Sequence, residues 1–131
     1  MHEDKQSKKV KVKNDIQMKE HDLRERLFRF AVDVLILLGK IKSAKEMDVI
    51  KYQLSKSATS SGANYEESQA AVSKADFTNK IGISLKEMRE SNYWLRIVKK
   101  LFPDIENITC LVGESEELGK ILASILIKSR N

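Results

Sequence analysis

Apolar residues recur at steps of three and four along most of the chain, and this spacing constrains the fold more than any other feature. Steps of this kind place side chains on one face of an α-helix. The sequence has one proline and five glycines in 131 residues, which leaves few positions where a helix would have to end. No segment alternates apolar and polar residues in the way that is typical of strands. The chain is therefore predicted to be all-α.

This spacing divides the chain into four helical segments. The first runs from about residue 18 to residue 41, and the second opens with Ser43–Glu46, whose sequence SAKE is a capping box. Ser73 is the predicted cap of the third segment, which Pro103 ends because the residue before a proline disfavours helix. The fourth segment begins at about residue 108. Four amphipathic helices joined by short links predict an antiparallel up-down four-helix bundle.

Residues 1–17 are predicted to form a basic, flexible tail, which leaves residues 18–131 as the bundle domain. Within nine residues the tail carries five lysines and no acid: Lys5, Lys8, Lys9, Lys11 and Lys13. Two interpretations are open, a solvated and disordered tail or an arm that binds nucleic acid. Without aromatic partners, these lysines would attract phosphates but recognise no base.

A run of small and polar residues, Ser57–Gln69 with the sequence SATSSGANYEESQ, lies within the predicted second helix. Ala58 and Gly62 are one turn apart and would leave a groove where another helix backbone comes close. Asn64 and Glu67 would need hydrogen-bond partners if they were buried. Candidate partners on the third helix are Ser84, Glu87, Ser91 and Asn92. Such pairs would either fix the register of the bundle, as a buried asparagine does in coiled coils, or form a functional polar site in its core.

A second apolar side is present on the first and third helices, besides the stripe that faces the core of the bundle. Its members are candidates for a contact between copies of the chain: Phe28, Val32, Ile83, Trp94 and Ile97. They are too many to leave in water on a monomer of this size. We therefore expect the chain to form a homo-oligomer.

The run from Ser57 to Leu101 resembles the signature of the four helix bundle proteins related to the bacterial 23S rRNA-intervening-sequence family. In order and without a gap it shows Ser-x-Gly-Ala-Asn, then Glu, Asp-Phe, Lys-Glu-x-x-Glu and Tyr-Trp-Leu. The amphipathic segments on either side extend the resemblance over roughly residues 20–128. The motif positions are filled by Ser60, Gly62, Ala63, Asn64, Glu67, Asp76, Phe77, Glu87, Glu90, Tyr93, Trp94 and Leu95. Ser61 and Ser84 depart from the pattern, which has apolar residues or alanine there, and they make the core more polar.

The resemblance implies an up-down four-helix bundle that assembles into a homopentamer around a central opening. It also implies a setting close to nucleic acid. The family includes genes inside inserts of 23S rRNA genes, and it is similar to the accessory protein of diversity-generating retroelements, a basic pentamer that works with a reverse transcriptase. No enzymatic activity follows from the resemblance. Six motif residues are expected to form the polar core: Ser60, Gly62, Asn64, Glu67, Glu87 and Glu90.

Patterns of catalytic, cofactor and metal sites do not occur in the sequence. It has no Gly-rich phosphate loop, no His-Glu-x-x-His and no cysteine pair, so we expect no catalytic residue, no cofactor and no metal. The one cysteine, Cys110, is expected to be a buried thiol. The N-terminus lacks an apolar export segment, and the most apolar run, Ala31–Leu38, is too short to span a bilayer. The expectation is a cytoplasmic protein without a membrane partner.

Two classes of function remain: a protein associated with RNA or DNA, or an oligomeric scaffold that binds a protein partner. The net charge of +5 favours the first class, but residues 28–131 carry sixteen Lys and Arg against thirteen Asp and Glu, spread along the sequence. A strong nucleic-acid binder usually gathers its positive charge on one face, although copies in a ring would multiply a weak patch. Besides the tail lysines, the candidates for this contact lie on the third helix: Lys80, Lys86, Arg89, Arg96, Lys99 and Lys100.

Overall fold

The computed structural model describes the backbone of residues 5–131 and the side chains of residues 22–131. Over this range the chain forms four helices and no strand, α1 (Lys5–Leu38), α2 (Lys45–Gln69), α3 (Lys74–Leu101) and α4 (Ile108–Arg130). The predicted all-α class is confirmed. α1 begins well before the predicted residue 18, since the lysine-rich segment contains neither proline nor glycine to stop a helix. The flexible tail over residues 1–17 stays a prediction, and residues 1–4 lie outside the described range.

Neighbouring helices run in opposite directions, as the residues that contact each other show. Between α2 and α3, Ser57 pairs with Ser91 and Ser61 pairs with Ser84, so the residue number rises on one helix as it falls on the other. The same order holds for the other neighbours. Between α1 and α2 the contacts include Leu27–Gly62 and Ile41–Lys51. Between α3 and α4 they include Asn92–Ser115 and Lys74–Asn131, and between α1 and α4 they include Arg26–Glu114 and Lys40–Glu106. The four helices therefore form an antiparallel bundle in which α1 contacts α2 and α4, and α3 contacts α2 and α4.

The helix ends follow local capping chemistry, with one correction. Ser73 is the N-cap of α3, and its hydroxyl accepts a hydrogen bond from the amide of Asp76 at 3.0 Å, as predicted. The predicted capping box at Ser43 is wrong. Ala44 is the N-cap of α2, because the Ser43 hydroxyl donates to the carboxylate of Asp48 at 2.9 Å instead of bonding to an amide of the first turn. At the other end of α3, Leu101 is the last helical residue before Pro103, as predicted.

The core lies between the apolar stripes of the four helices. Apolar residues at steps of three and four along α1, and Ile41 just beyond its end, are buried: Leu23, Leu27, Phe30, Val34, Leu37 and Ile41. Leu54, Ile81, Met88, Leu95, Leu118 and Leu122 from the other helices are fully enclosed with them. Among the described residues, no helix combines the length and apolar character that crossing a membrane would require.

Candidate nucleic-acid interface

Four cations lie in one row on the outer face of α3, and we call them the basic stripe: Lys86, Arg89, Arg96 and Lys100. They are spaced by three, seven and four residues, which places them on one side of a helix. All four side chains are exposed. Four of the bundle's cations therefore share one outward face of α3.

Lys80 and Lys99, the other two candidates on this helix, do not belong to the basic stripe. The ammonium of Lys80 lies 3.0 Å from the carboxylate of Glu67 on α2, and this hydrogen-bonded ion pair raises the pKa of Lys80. A lysine held in this way is less available to a phosphate than an unpaired one. Lys99 is half-buried. The structure thus separates the six predicted cations into four outward-facing ones and two that are engaged or partly covered.

Two open grooves between α3 and α4 adjoin the basic stripe. The larger, of about 800 Å³, has Lys74, Lys86 and Arg130 among its lining residues and no acid. The second, of about 400 Å³, is lined by Arg89, Arg96 and Lys120, with Glu116 as its one acidic residue. Cations from α4 therefore extend the positive surface beyond α3.

An aromatic ring interrupts the basic stripe, and sequence reasoning did not single it out as part of this surface. Tyr93 lies four residues after Arg89 and three before Arg96, and its side chain is 51% exposed. The guanidinium carbon of Arg96 is 5.8 Å from the centre of the Tyr93 ring, and the Trp94 ring meets it edge-on at 5.1 Å between centroids. The signal was present in the sequence, because Tyr93 continues the steps of three and four that connect the four cations.

Of the motif residues predicted for the polar core, all except Gly62 are only partly buried or exposed. The amide nitrogen of Asn64 donates to the backbone oxygen of Ser60 at 2.9 Å and to its hydroxyl at 3.1 Å, so this pair stays within α2. Glu67 reaches α3 only at the surface, through Lys80. Gly62 is the buried member of the set and faces Leu27 of α1.

Glu87 and Glu90, the two motif carboxylates of α3, are half-buried and one turn apart. Partial burial raises the pKa of Glu87, and the neighbouring charge of Glu90 raises it further, while Lys86 and Lys56 act in the opposite direction. Glu90 also accepts a hydrogen bond from the indole nitrogen of Trp94 at 3.3 Å. Both carboxylates are thus engaged with their surroundings. Within residues 22–131, no three His, Cys, Asp or Glu side chains are grouped so that they could hold a metal ion.

Serine hydroxyls make the buried hydrogen bonds between α2 and α3. The hydroxyl oxygens of Ser57 and Ser91 are hydrogen-bonded at 2.8 Å, and the hydroxyl of Ser61 donates to the backbone oxygen of Ser84. Of the other predicted partners, Asn92 turns to α4 and donates to the hydroxyl of Ser115 at 2.9 Å. Register between α2 and α3 is therefore fixed by small hydroxyl pairs and not by Asn64 or Glu87.

The candidates for a contact between copies lie on two helices that do not touch each other. On α1, Phe28 is 60% exposed and Val32 is 38% exposed. Leu35 and Ile36 follow them on the same exposed side, and we call these four residues the α1 patch. On α3, the predicted members are half-buried: Ile83, Trp94 and Ile97.

Two further predictions concern the tail lysines and the cysteine. The side chains of the tail lysines, Lys5, Lys8, Lys9, Lys11 and Lys13, lie outside the described part of the chain.

The expectation of a buried thiol at Cys110 is wrong, since its side chain is exposed on the first turn of α4. The helical period places its neighbours Ile108, Leu111 and Val112 toward the core instead.

Comparison with known proteins adds a family model and a solved structure. The family model described as 23S rRNA-intervening sequence protein matches residues 19–124, from within α1 to within α4. A search of functionally curated proteins gave no match. The crystal structure of a protein with unknown function from the S23 ribosomal protein family of Bacteroides thetaiotaomicron is similar, with 32% sequence identity and a TM-score of 0.69. The match covers 79% of this chain and 97% of that one.

Proposed function

Since the chain belongs to the 23S rRNA-intervening sequence protein family, we propose that it is a non-enzymatic homo-oligomer that associates with nucleic acid through the basic stripe of α3. The proposal assigns no catalytic residue, cofactor or metal. It rests mainly on one observation, the row of exposed cations at Lys86, Arg89, Arg96 and Lys100. Phosphate groups are the natural partner of such a row, because each contact releases condensed counterions.

The lack of ion pairs at these four cations supports the proposal. None of the four forms an ion pair with a carboxylate among residues 22–131. Four other cations of the bundle are paired with a carboxylate, in Arg24–Glu66, Arg26–Glu114, Lys40–Glu106 and Lys80–Glu67. Along the face of α3 that borders α4, a polyanion would therefore meet four exposed cations without an ion-pair partner.

The distribution of exposed apolar surface supports self-association. The α1 patch and the apolar side of α3 occur on helices that do not contact each other in the described bundle. Two different patches on separate helices suit a head-to-tail contact, in which one patch of each copy meets the other patch of the next copy. Head-to-tail contacts form a ring when the rotation between copies closes, and five copies is the number that the family resemblance implies. A ring would repeat the basic stripe in every copy and raise avidity for a long polyanion.

Fluorescence anisotropy with labelled RNA and DNA oligomers tests the nucleic-acid association. We expect binding by the full chain that weakens steeply between about 50 and 200 mM salt. Arg89→Ala should weaken binding and reduce the salt slope by about one, because one phosphate contact is lost. Lys80→Ala is the matched control on the same helix and should have a smaller effect, since Glu67 already engages that lysine.

A truncated chain without residues 1–17 distinguishes nucleic-acid binding by the tail from binding by α3. If truncation weakens binding and Arg89→Ala does not, the contact belongs to the tail lysines, and the assignment to α3 is wrong. If no RNA or DNA oligomer binds at the low-salt end, the nucleic-acid association itself is wrong. An oligomeric scaffold for a protein partner would then be the better proposal, with the exposed α1 patch as the surface to examine.

A further inference from the structure

We infer that the basic stripe binds single-stranded nucleic acid, with one base stacked on Tyr93, in preference to a duplex. The inference rests on the proposed function and names the form of nucleic acid that this surface fits. It is based on the position of one exposed aromatic ring within the row of cations. Both RNA and DNA single strands present base faces and phosphates, so the surface is assigned to that shared chemistry.

Tyr93 occupies the middle of the basic stripe. Lys86 and Arg89 precede it, Arg96 and Lys100 follow it, and all five side chains are exposed. A base stacked on the ring would therefore have cations on both sides for the phosphates before and after it. Alternating cations and aromatic rings are the recurring design of proteins that bind single strands without strong sequence preference.

The Tyr93 ring is held by its neighbours, which reduces the entropy lost when a base stacks on it. The Trp94 ring packs against it at an interplanar angle of 74°. Trp94 is itself half-buried and donates a hydrogen bond to Glu90. The guanidinium carbon of Arg96 lies 5.8 Å from the ring centre, close enough for a cation–π interaction. The platform thus consists of a tyrosine and an arginine, both of which stack on bases.

The length and shape of the stripe favour a short single strand. Lys86 and Lys100 are fourteen residues apart on α3, which corresponds to about 21 Å at 1.5 Å per residue. A stacked strand that rises about 3.4 Å per nucleotide along its axis would place about six phosphates along that length. A duplex would hide its base faces from Tyr93, and exposing one requires unstacking that costs a few kcal/mol. Duplex would therefore use the cations without the ring.

Anisotropy titrations of single-stranded and blunt duplex oligomers of about 12 nucleotides, in RNA and DNA forms, test the inference. We expect the single strand to bind more tightly than the duplex. Tyr93→Ala should weaken single-strand binding by about 5- to 100-fold, the usual cost of losing one stacked base, and leave duplex binding unchanged. Tyr93→Phe should retain the affinity, because the phenyl face still stacks. Tyr52→Ala removes a tyrosine that is 65% exposed on α2 and is the matched control.

A single strand that contains 2-aminopurine gives a second readout, since the fluorescence of this base changes when it stacks. We expect its signal to change on binding to the wild-type chain and to the Tyr93→Phe variant, but not with Tyr93→Ala. Equal affinity for single strand and duplex, or equal effects of Tyr93→Ala and Tyr52→Ala, would overturn the inference. If Arg89→Ala still weakens binding in that case, the proposed function stands and only the stacking is wrong. Loss of all binding in the wild-type chain would overturn both.

Discussion

Ser61 and Ser84 exchange hydrogen bonds across the buried interface of α2 and α3. The hydroxyl of Ser61 donates to the backbone oxygen of Ser84 at 2.9 Å, and the hydroxyl of Ser84 donates to the backbone oxygen of Ser61 at 2.7 Å. Side chains this short can reach a facing backbone only where the two helices approach closely. The two positions depart from the family pattern of apolar residues or alanine, yet they make the helix contact close and specific.

Removing one hydroxyl of this pair should destabilise the bundle modestly. We expect Ser61→Ala to lower the free energy of unfolding by about 0.5–1.5 kcal/mol, the net value of one hydrogen bond. The Ser84 oxygen is not left without a partner, because it is also within the helical hydrogen-bond ladder of α3. Thr59→Ala is the control, since the Thr59 hydroxyl bonds within its own helix at an exposed position. Urea denaturation would measure both, and equal stabilities would contradict the role given to Ser61.

The helix faces could be predicted from the sequence because they depend on local spacing alone. The apolar residues that recur at steps of three and four along α1, from Leu23 to Leu37, are buried, and Ser73 caps α3 as its sequence indicated. The hydrogen-bond partners could not be predicted, because they depend on how two helices cross. Asn64 satisfies its amide within one turn of its own helix, and Asn92 turns toward α4 instead of α2.

The candidate interface shows the same division between local and tertiary information. The spacing of Arg89, Tyr93 and Arg96 is readable in the sequence as one helix face. The neutralisation of Lys80 by Glu67 is not, since the two residues lie on different helices and meet only in the folded bundle. Net charge alone therefore does not show which cations of α3 are paired.

Gly62 should tolerate a methyl group but not a large side chain. A Cβ at position 62 would lie 3.5 Å from both the Cβ and the backbone oxygen of Leu27, which is an ordinary contact distance. We expect Gly62→Ala to be neutral or to stabilise by up to about 1 kcal/mol through helix propensity. Gly62→Leu should destabilise by about 1–3 kcal/mol, because its extra carbons would overpack the α1–α2 interface.

Gly113 provides the matched control for this pair. It lies within α4, and a methyl group at this position would have no neighbouring atom within 4 Å, so Gly113→Leu should be neutral or stabilising. Thermal unfolding of the three variants beside the wild-type chain would compare them directly. A Gly62→Leu protein that unfolds at the wild-type temperature would show that α1 and α2 do not pack closely at Leu27.

Self-association should depend on the α1 patch. We expect the wild-type chain to elute as an oligomer at micromolar concentration and Phe28→Asp to shift it to a smaller species, because the carboxylate would be desolvated in an apolar contact. Phe28 is 60% exposed in the single chain, so the variant should still fold. Val72→Asp is the control, since Val72 is 94% exposed in the turn between α2 and α3. Light scattering after size-exclusion chromatography gives the mass, and a monomeric wild-type chain would contradict the proposed oligomer.

Glu87 should make the stability of the bundle fall as the pH rises. Partial burial and the charge of Glu90 raise the pKa of Glu87 in the folded chain. Between the unfolded-state pKa of about 4.3 and this higher value, the folded chain binds more protons than the unfolded chain. The contribution of Glu87 is therefore most favourable below the unfolded pKa and is lost as the pH rises through the folded one.

Replacing the ionisable group with an amide of the same shape isolates this effect. We expect Glu87→Gln to unfold at a higher temperature than the wild-type chain at pH 7, because an uncharged amide is easier to bury and does not repel Glu90. The difference should shrink below about pH 4, where Glu87 is protonated in both states. Glu116→Gln, at an exposed position on α4, is the control for a general change in net charge. Thermal unfolding followed by circular dichroism from about pH 3 to pH 8 would measure all three proteins. A Glu87→Gln variant whose advantage over the wild-type chain is the same at every pH would show that the carboxylate of Glu87 is not the titrating group.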